Sequence, residues 1–158
     1  MYNGIEVDVL DIGDADAIIV TRWVDSYPHR ILVDGGRASD NDVVLNFMLA
    51  RGFTDFWAVV CTHLHNDHAR GLIKLVRNKL LKFRNAWMHD INKHVSAEAL
   101  RRASAATDGV KEVIEMTKEL AAALASRELT PTEPFAGMSI AAWPEMQVLG
   151  PSLSFYRG

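Results

Sequence analysis

Phe56-Trp57-Ala58-Val59-Val60-Cys61-Thr62-His63-Leu64-His65-Asn66-Asp67-His68 is the stretch that decides how this chain is read. Phe56 to Cys61 is continuously apolar, as expected of a strand covered on both faces. Four side chains able to ligate a metal follow at once: His63, His65, Asp67 and His68. On an extended segment, positions i and i+2 point to the same side, so His63 and His65 can grip one ion together. Asp67 and His68 lie past the bend and can reach a second ion nearby. Imidazole and carboxylate donors suit zinc, and also manganese or iron. Solvated or helix-capping histidines are the plain alternative. Chance rarely sets this many donors at this spacing at the end of a buried strand.

Two such ions, about 3.5–4 Å apart, lower the pKa of water to about 7 and hold the attacking and leaving oxygens of a displacement. Asp67 is then the candidate catalytic residue, as a ligand that also orients water or accepts its proton. Such hydrolysis needs no protein nucleophile, and no serine stands out as one. Cys61, at the strand end, reads as a small buried apolar residue rather than a reactive thiol.

Upstream, Val7 to Ile12 and Ala17 to Thr21 read as strands, with a turn at Gly13-Asp14. Ser26-Tyr27-Pro28-His29 reads as a loop before a third strand, Ile31-Leu32-Val33, which Asp34-Gly35-Gly36 stops. These runs predict an antiparallel meander. Asp40 or Asn41 can cap a helix to about Arg51, with Val44, Phe47 and Met48 on one face and Gly52 at the stop. Downstream, Gly71 to about Leu81 is predicted helical, with Leu72, Ile73, Val76 and Leu80 on one side. Ala86 to His89 is a further strand candidate. Ser96 caps a long Ala-rich helical stretch, interrupted at Asp108-Gly109, whose stripe of Val113, Met116, Leu120 and Leu124 is read as core packing. Pro131 and Pro134 end it, and Ser139 to Trp143 and Met146 to Leu149 read as two strands around Pro144. Strands alternating with helices indicate a layered α/β domain, a sheet with helices on its outer face.

His-x-His-x-Asp-His after an apolar strand resembles the metallo-β-lactamase superfamily. Val9-Leu10-Asp11-Ile12-Gly13-Asp14-Ala15-Asp16-Ala17 resembles the opening strand and turn of the soluble hydrolase domain in the competence protein ComEC/Rec2 group. Ile31-Leu32-Val33-Asp34-Gly35-Gly36 resembles its third strand, and Val148-Leu149-Gly150-Pro151 a strand end later in that domain. The resemblance implies an αββα sandwich, a centre of two zinc ions and hydrolytic activity. It matches His63 and His65 to ligands of the first metal, and Asp67 and His68 to ligands of the second. Asp34 matches an aspartate that lies behind the ligand loop and fixes it by hydrogen bonds. A turn-forming role before two glycines accounts for Asp34 equally well.

The chain departs from the family in three places. Ala69-Arg70-Gly71 stands where a small pair such as Gly-Gly usually follows the last histidine, and Asp14-Ala15 where Gln-Gly is common. No segment matches the family's second half, which supplies a bridging aspartate and another histidine. Two protein ligands per ion are too few for a catalytic site, which needs about three. Residues 1–158 are therefore expected to be one domain truncated at its C-terminus, completed by further chain or by a homo-oligomer partner. An incomplete sandwich exposes an apolar face, which predicts oligomerisation. His89 is read as a core or surface histidine rather than an added ligand, and His29 and His94 have no positional reason to be ligands.

The 158 residues suffice for one compact domain, and the formal net charge of −3 lacks the basic excess of a free-standing nucleic-acid binder. Arg70, Lys74, Arg77, Lys79, Lys82 and Arg84 still form a local basic run after the ligand loop. It is either a solvated face or a hint of an anionic substrate, a small molecule or nucleic acid. Trp57, Trp87 and Trp143 lie in or near predicted strands, so core packing is expected over base stacking. A single cysteine, no signal peptide pattern and no apolar run near ~18 residues predict a cytoplasmic chain with no membrane partner. Three functions follow. The first is a metal-dependent hydrolase favouring phosphodiester or nucleic acid. The second is a lactone, ester or amide hydrolase, and the third a non-catalytic half-domain serving as an interaction module.

Overall fold

The computed structural model describes residues 1–140 and 143–157. Five strands form one sheet in the order β1-β2-β3-β4-β5: Gly4–Val9, Ile18–Val24, Tyr27–Val33, Asp55–Val60 and Lys82–Trp87. β1, β2 and β3 are antiparallel, whereas β3, β4 and β5 run parallel. Parallel neighbours need crossovers, and helices α1 (Asn41–Ala50) and α2 (Asn66–Arg77) supply them. Helices α3 (Ala97–Ala106) and α4 (Asp108–Ala125) follow. A two-stranded sheet, β6 (Ser139–Ile140) with β7 (Trp143–Gln147), and a short helix α5 (Leu153–Arg157) complete the described chain.

Strand side chains alternate between two faces, and each face of the sheet has its own core. On one face Ile19, Leu32, Val59 and Ala86 pack in a cluster with Val44 and Met48 of α1, Leu72 and Val76 of α2, and Met116, Leu120 and Leu124 of α4. On the other, Ile31, Ala58, Val60 and Trp87 pack against Trp143, with Met138 and Met146 at the margin. Each fully buried Leu, Ile or Phe contributes about 1.5–3 kcal/mol. The layers are therefore helices, a five-stranded sheet, and the beginning of a second sheet. This is the layered α/β arrangement expected from the sequence, with helices on the outer face of a sheet. Trp87 and Trp143 are core residues, Trp57 meets Trp87 edge to face at 5.9 Å, and the stripe on α4 is buried as read.

Several boundaries differ from the expectation. Tyr27 to His29 belong to β3, because a two-residue turn, Asp25-Ser26, closes the β2–β3 hairpin. Both turn residues have positive φ, 52° and 69°, the backbone that matches strand twist in a tight hairpin. β1 starts at Gly4 and ends at Val9, after which Leu10 turns into the helix-side core. Its apolar residues Ile5, Val7 and Val9 face away from the helices, while Glu6 and Asp8 point under them, held by Arg51 at 2.6 and 3.1 Å. β5 is Lys82–Trp87 rather than Ala86 to His89, since pairing with β4 holds even its polar first half. The turn at the end of α2 buries Leu81 and leaves Leu80 exposed, the reverse of the stripe expected there. β7 contains Pro144, which is tolerated because, among the described residues, the strand pairs with β6 alone. Residues 141 and 142, part of the Ser139 to Trp143 reading, lie outside the described residues.

Candidate metal centre

Parallel β3 and β4 end together, and their C-terminal ends carry the site. Asp34 leaves β3 with φ +56°, a left-handed conformation that Asp tolerates better than most residues. This bend lets the Gly35 N–H donate to the His68 carbonyl at 2.9 Å, and the Gly36 N–H to the Asp16 carbonyl at 2.8 Å. The Asp34 N–H reaches the Val60 carbonyl at 2.9 Å. The turn after β3 is thus bonded to the end of β4, to α2 and to the β1–β2 loop.

Helix α2 begins inside the histidine motif, five residues before the predicted start. His65 is its extended N-cap residue, and Glu112 of α4 accepts the Asn66 N–H at 2.9 Å. Asp67 and His68 are therefore first-turn helical residues, with the Asp67 carboxylate near the positive end of the helix dipole. The apolar stripe starts only at Ala69, so periodicity could not show the polar first turn.

Asp34 is 3% exposed and organises the candidate ligands. Its Oδ1 accepts the Thr62 N–H at 2.9 Å, and its Oδ2 accepts the Thr62 hydroxyl at 2.5 Å. His68 Nδ1 lies 3.0 Å from the same Oδ2. With Nδ1 donating there, His68 presents Nε2 as a ligand atom, the usual arrangement of a metal-binding imidazole and its carboxylate. The Thr62 hydroxyl lies 3.0 Å from His63 Nδ1, which likewise leaves His63 its Nε2. The rings of His63 and His68 are 3.7 Å apart, and that of His65 is 5.1 Å from His63. Burial, reinforced by neighbouring His68, holds the His63 pKa below its ordinary value, favouring the neutral form that binds metals. Burial pushes the Cys61 thiol far up, and the side chain is 2% exposed, so it is inert packing.

Asp34, His63 and His68 each offer a ligand atom within 4.8 Å of the others. Asp67 Oδ2 stands 3.6 Å from His68 Nε2, and His65 is exposed at the rim. Two imidazoles and carboxylates converging at a helix N-terminus fit a divalent ion, and the mixed donor set fits zinc. Asp16 was given no role by the sequence. Its Oδ2 also lies 3.6 Å from His68 Nε2. It belongs to the Gly13-to-Ala17 turn that carried the resemblance, which was the available signal. His89 shares a pocket of about 230 Å³ with Cys61, Thr62 and His63. His94 Nε2 lies 2.8 Å from Glu133 Oε1 nearby.

The basic run does not line this site. Arg70 is the one member within a turn of His68, and it is engaged by Asn66 at 2.9 Å and Glu119 at 3.4 Å. Arg77 lies nine residues beyond His68, roughly 14 Å along the helix. Lys82 and Arg84 belong to the first half of β5, away from the end where Trp87 meets Val60.

No family model matches the sequence, and no curated protein does. Solved structures do. A Thermotoga maritima protein described as a metallo-β-lactamase superposes with a TM-score of 0.51 at 14% identity, over 89% of this chain and 63% of that one. The chain has the metallo-β-lactamase fold. A Cronobacter sakazakii metallo-β-lactamase with a HARLDQ motif gives a TM-score of 0.43 at 20% identity, over 61% of this chain and 34% of that one, too low to weigh. The metallo-β-lactamase-fold chain described here thus spans less than two thirds of either structure. Among the described residues, no helix is long and apolar enough to cross a membrane.

Proposed function

We propose that this chain is a metal-dependent hydrolase, or the metal-binding part of one, of the ComEC/Rec2 type. The observation that carries the reading is the convergence of His63 and His68 beside buried Asp34, one donor atom of each within 4.8 Å of the others, at the end of two parallel strands. In this reading His63, His65, Asp67 and His68 hold the metal, two zinc ions when the site is complete, with manganese or iron as substitutes. Lewis acidity supplied there makes a nucleophile available from water near neutral pH. Asp34 fixes the ligand loop through Thr62 and orients His68. Asp67, its side chain 35% exposed, is placed to orient water or take its proton at Oδ2. Remaining ligands come from further chain or a second copy.

A phosphodiester, nucleic acid included, is the substrate class we favour, and its support is the likeness of Val9 to Ala17, Ile31 to Gly36 and Val148 to Pro151 to that group. The basic run adds nothing, because Arg70 is engaged by Asn66 and Glu119, and Lys82 and Arg84 lie in the first half of β5. A carbonyl substrate, such as a lactone, ester or amide, is open to the same chemistry. A single cysteine fits a cytoplasmic setting.

The test measures zinc per chain and turnover of bis(p-nitrophenyl) phosphate beside p-nitrophenyl acetate, for the wild type, His63→Ala and His65→Ala. Bound zinc and phosphodiester turnover, both reduced in the variants, are expected. Acetate turnover alone, with the same loss, moves the reading to a carbonyl substrate. A folded chain that takes up no metal leaves an interaction module.

A further inference from the structure

Three acidic side chains surround His68, and only one of them is hydrogen-bonded to it. Asp34 takes Nδ1 at 3.0 Å. On the opposite edge of the ring, Nε2 faces Asp16 Oδ2 and Asp67 Oδ2, each at 3.6 Å. That distance exceeds a hydrogen bond. Each distance is compatible with two ligand atoms on one ion, since zinc bonds of about 2.1 Å at a tetrahedral angle set donors roughly 3.4 Å apart.

Asp16 does not reach this place by chance of rotamer. The β1–β2 loop is tied down by its main chain: the Asp16 N–H donates to the Asp67 carbonyl at 3.3 Å, and the Asp16 carbonyl accepts from Gly36 at 2.8 Å. Ala17, the next residue, is fully buried and anchors the loop in the core. The Asp16 side chain itself is 55% exposed and has no structural duty in holding the loop. Its neighbour Asp14 is occupied elsewhere, in a two-pronged pair with Arg37 at 2.5 and 2.9 Å.

We infer that Asp16 is a further ligand of the metal centre, sharing one ion with Asp67 and His68. The inference rests on the metal-binding reading above and adds to it. It places a third protein donor on the second ion from the first half of the chain. A catalytic zinc typically has three protein ligands plus an open position, so these three residues give this ion its minimum set, whereas His63 and His65 give the first ion two.

The experiment is zinc titration by calorimetry and the visible spectrum of the cobalt-loaded protein, for the wild type, Asp16→Asn, Asp16→Glu and Asp14→Asn. Asp14→Asn removes the same charge two residues away and serves as the electrostatic control. Because the loop is held by main-chain bonds, Asp16→Asn keeps the wild-type melting temperature without metal. Expected results are at least a tenfold loss of affinity at one site in Asp16→Asn, a shifted cobalt spectrum in both Asp16 variants, and wild-type behaviour in Asp14→Asn. Equal affinity and an unchanged spectrum in both Asp16 variants overturn the inference and leave the hydrolase reading standing. Equal losses in Asp14→Asn and Asp16→Asn also overturn it, because then only net charge matters. A wild-type chain that binds neither zinc nor cobalt overturns both readings.

Discussion

Gly71 of α2 crosses the turn after β3 so closely that a Cβ on it would stand 1.9 Å from the carbonyl oxygen of Gly35. The contact is backbone on backbone, and the Gly71 N–H donates to the Gly36 carbonyl at 2.8 Å. It sets the height of α2, and with it the placement of His68 over Asp34. This crossing also accounts for Ala69-Arg70-Gly71. Ala69 is fully buried and Gly71 makes the crossing, whereas Arg70 between them points outward to Glu119, so a large residue is tolerated there.

Gly71→Ala should therefore destabilise strongly. Alanine gains about 1 kcal/mol in a helix interior over glycine. Here the overlap is with main chain that no side-chain rotation relieves, at a cost of about 3 kcal/mol or more. The net sign is loss, with metal affinity falling as His68 shifts. Urea denaturation measures the first and zinc titration the second. A variant as stable as the wild type would show that the crossing is looser than described.

Arg127 closes the other end of α2. Its guanidinium donates to the carbonyls of Val76 at 3.3 Å, Asn78 at 3.1 Å and Leu81 at 2.6 Å. The Val76 carbonyl is one that a helix C-terminus leaves without a partner, and Asn78 and Leu81 belong to the turn between α2 and β5. Arg127→Ala should cost about 2 kcal/mol, the range for hydrogen bonds to a charged group. Arg127→Lys should recover only part, because one ammonium cannot reproduce the fork. Shifts of the urea midpoint in that order, without loss of zinc binding, are expected.

His89 gives stability a pH dependence. Burial holds its pKa below the ordinary 6.5, Glu133 opposes this, and His94 adds to it. In the unfolded chain the ring takes a proton as pH falls through 6.5, and in the native chain only lower. Stability is thus fully present above that value and is lost as pH falls toward the native pKa. The melting temperature should drop on acidification below 6.5, and His89→Gln should flatten the drop. A slope unchanged in the variant would assign the effect to other groups.

Edge strand β1 exposes Ile5, Val7 and Val9 at 61, 57 and 69% on the face away from the helices. β6 and β7 cover that face as far as β2, where Arg22 meets Glu145 at 2.6 Å, and leave the β1 residues exposed. An unpaired edge beside an apolar face is a docking hazard. We expect concentration-dependent self-association by sedimentation velocity, weakened in Val7→Lys. A monomer at every concentration would remove the oligomer proposal.

The sequence by itself determined the elements whose signal is local. The run Phe56 to Cys61 became β4, Val44 and Met48 became the buried face of α1, and Ser96 caps α3 by accepting from Ala99. The ligand types and their order were legible for the same reason, being neighbours in the chain. What only the tertiary structure decided depends on distant partners. Polar residues Asn66 to His68 are helical because Glu112 of α4 and the turn after β3 take up their main-chain groups. Glu6 and Asp8 face the helix layer because Arg51, more than forty residues away, neutralises them. Asp16 meets His68 because two loops are stitched by main-chain bonds that carry no side-chain signature. Alternation and spacing record which face a residue prefers, whereas contacts across ~30–50 residues are set by how the layers close on one another.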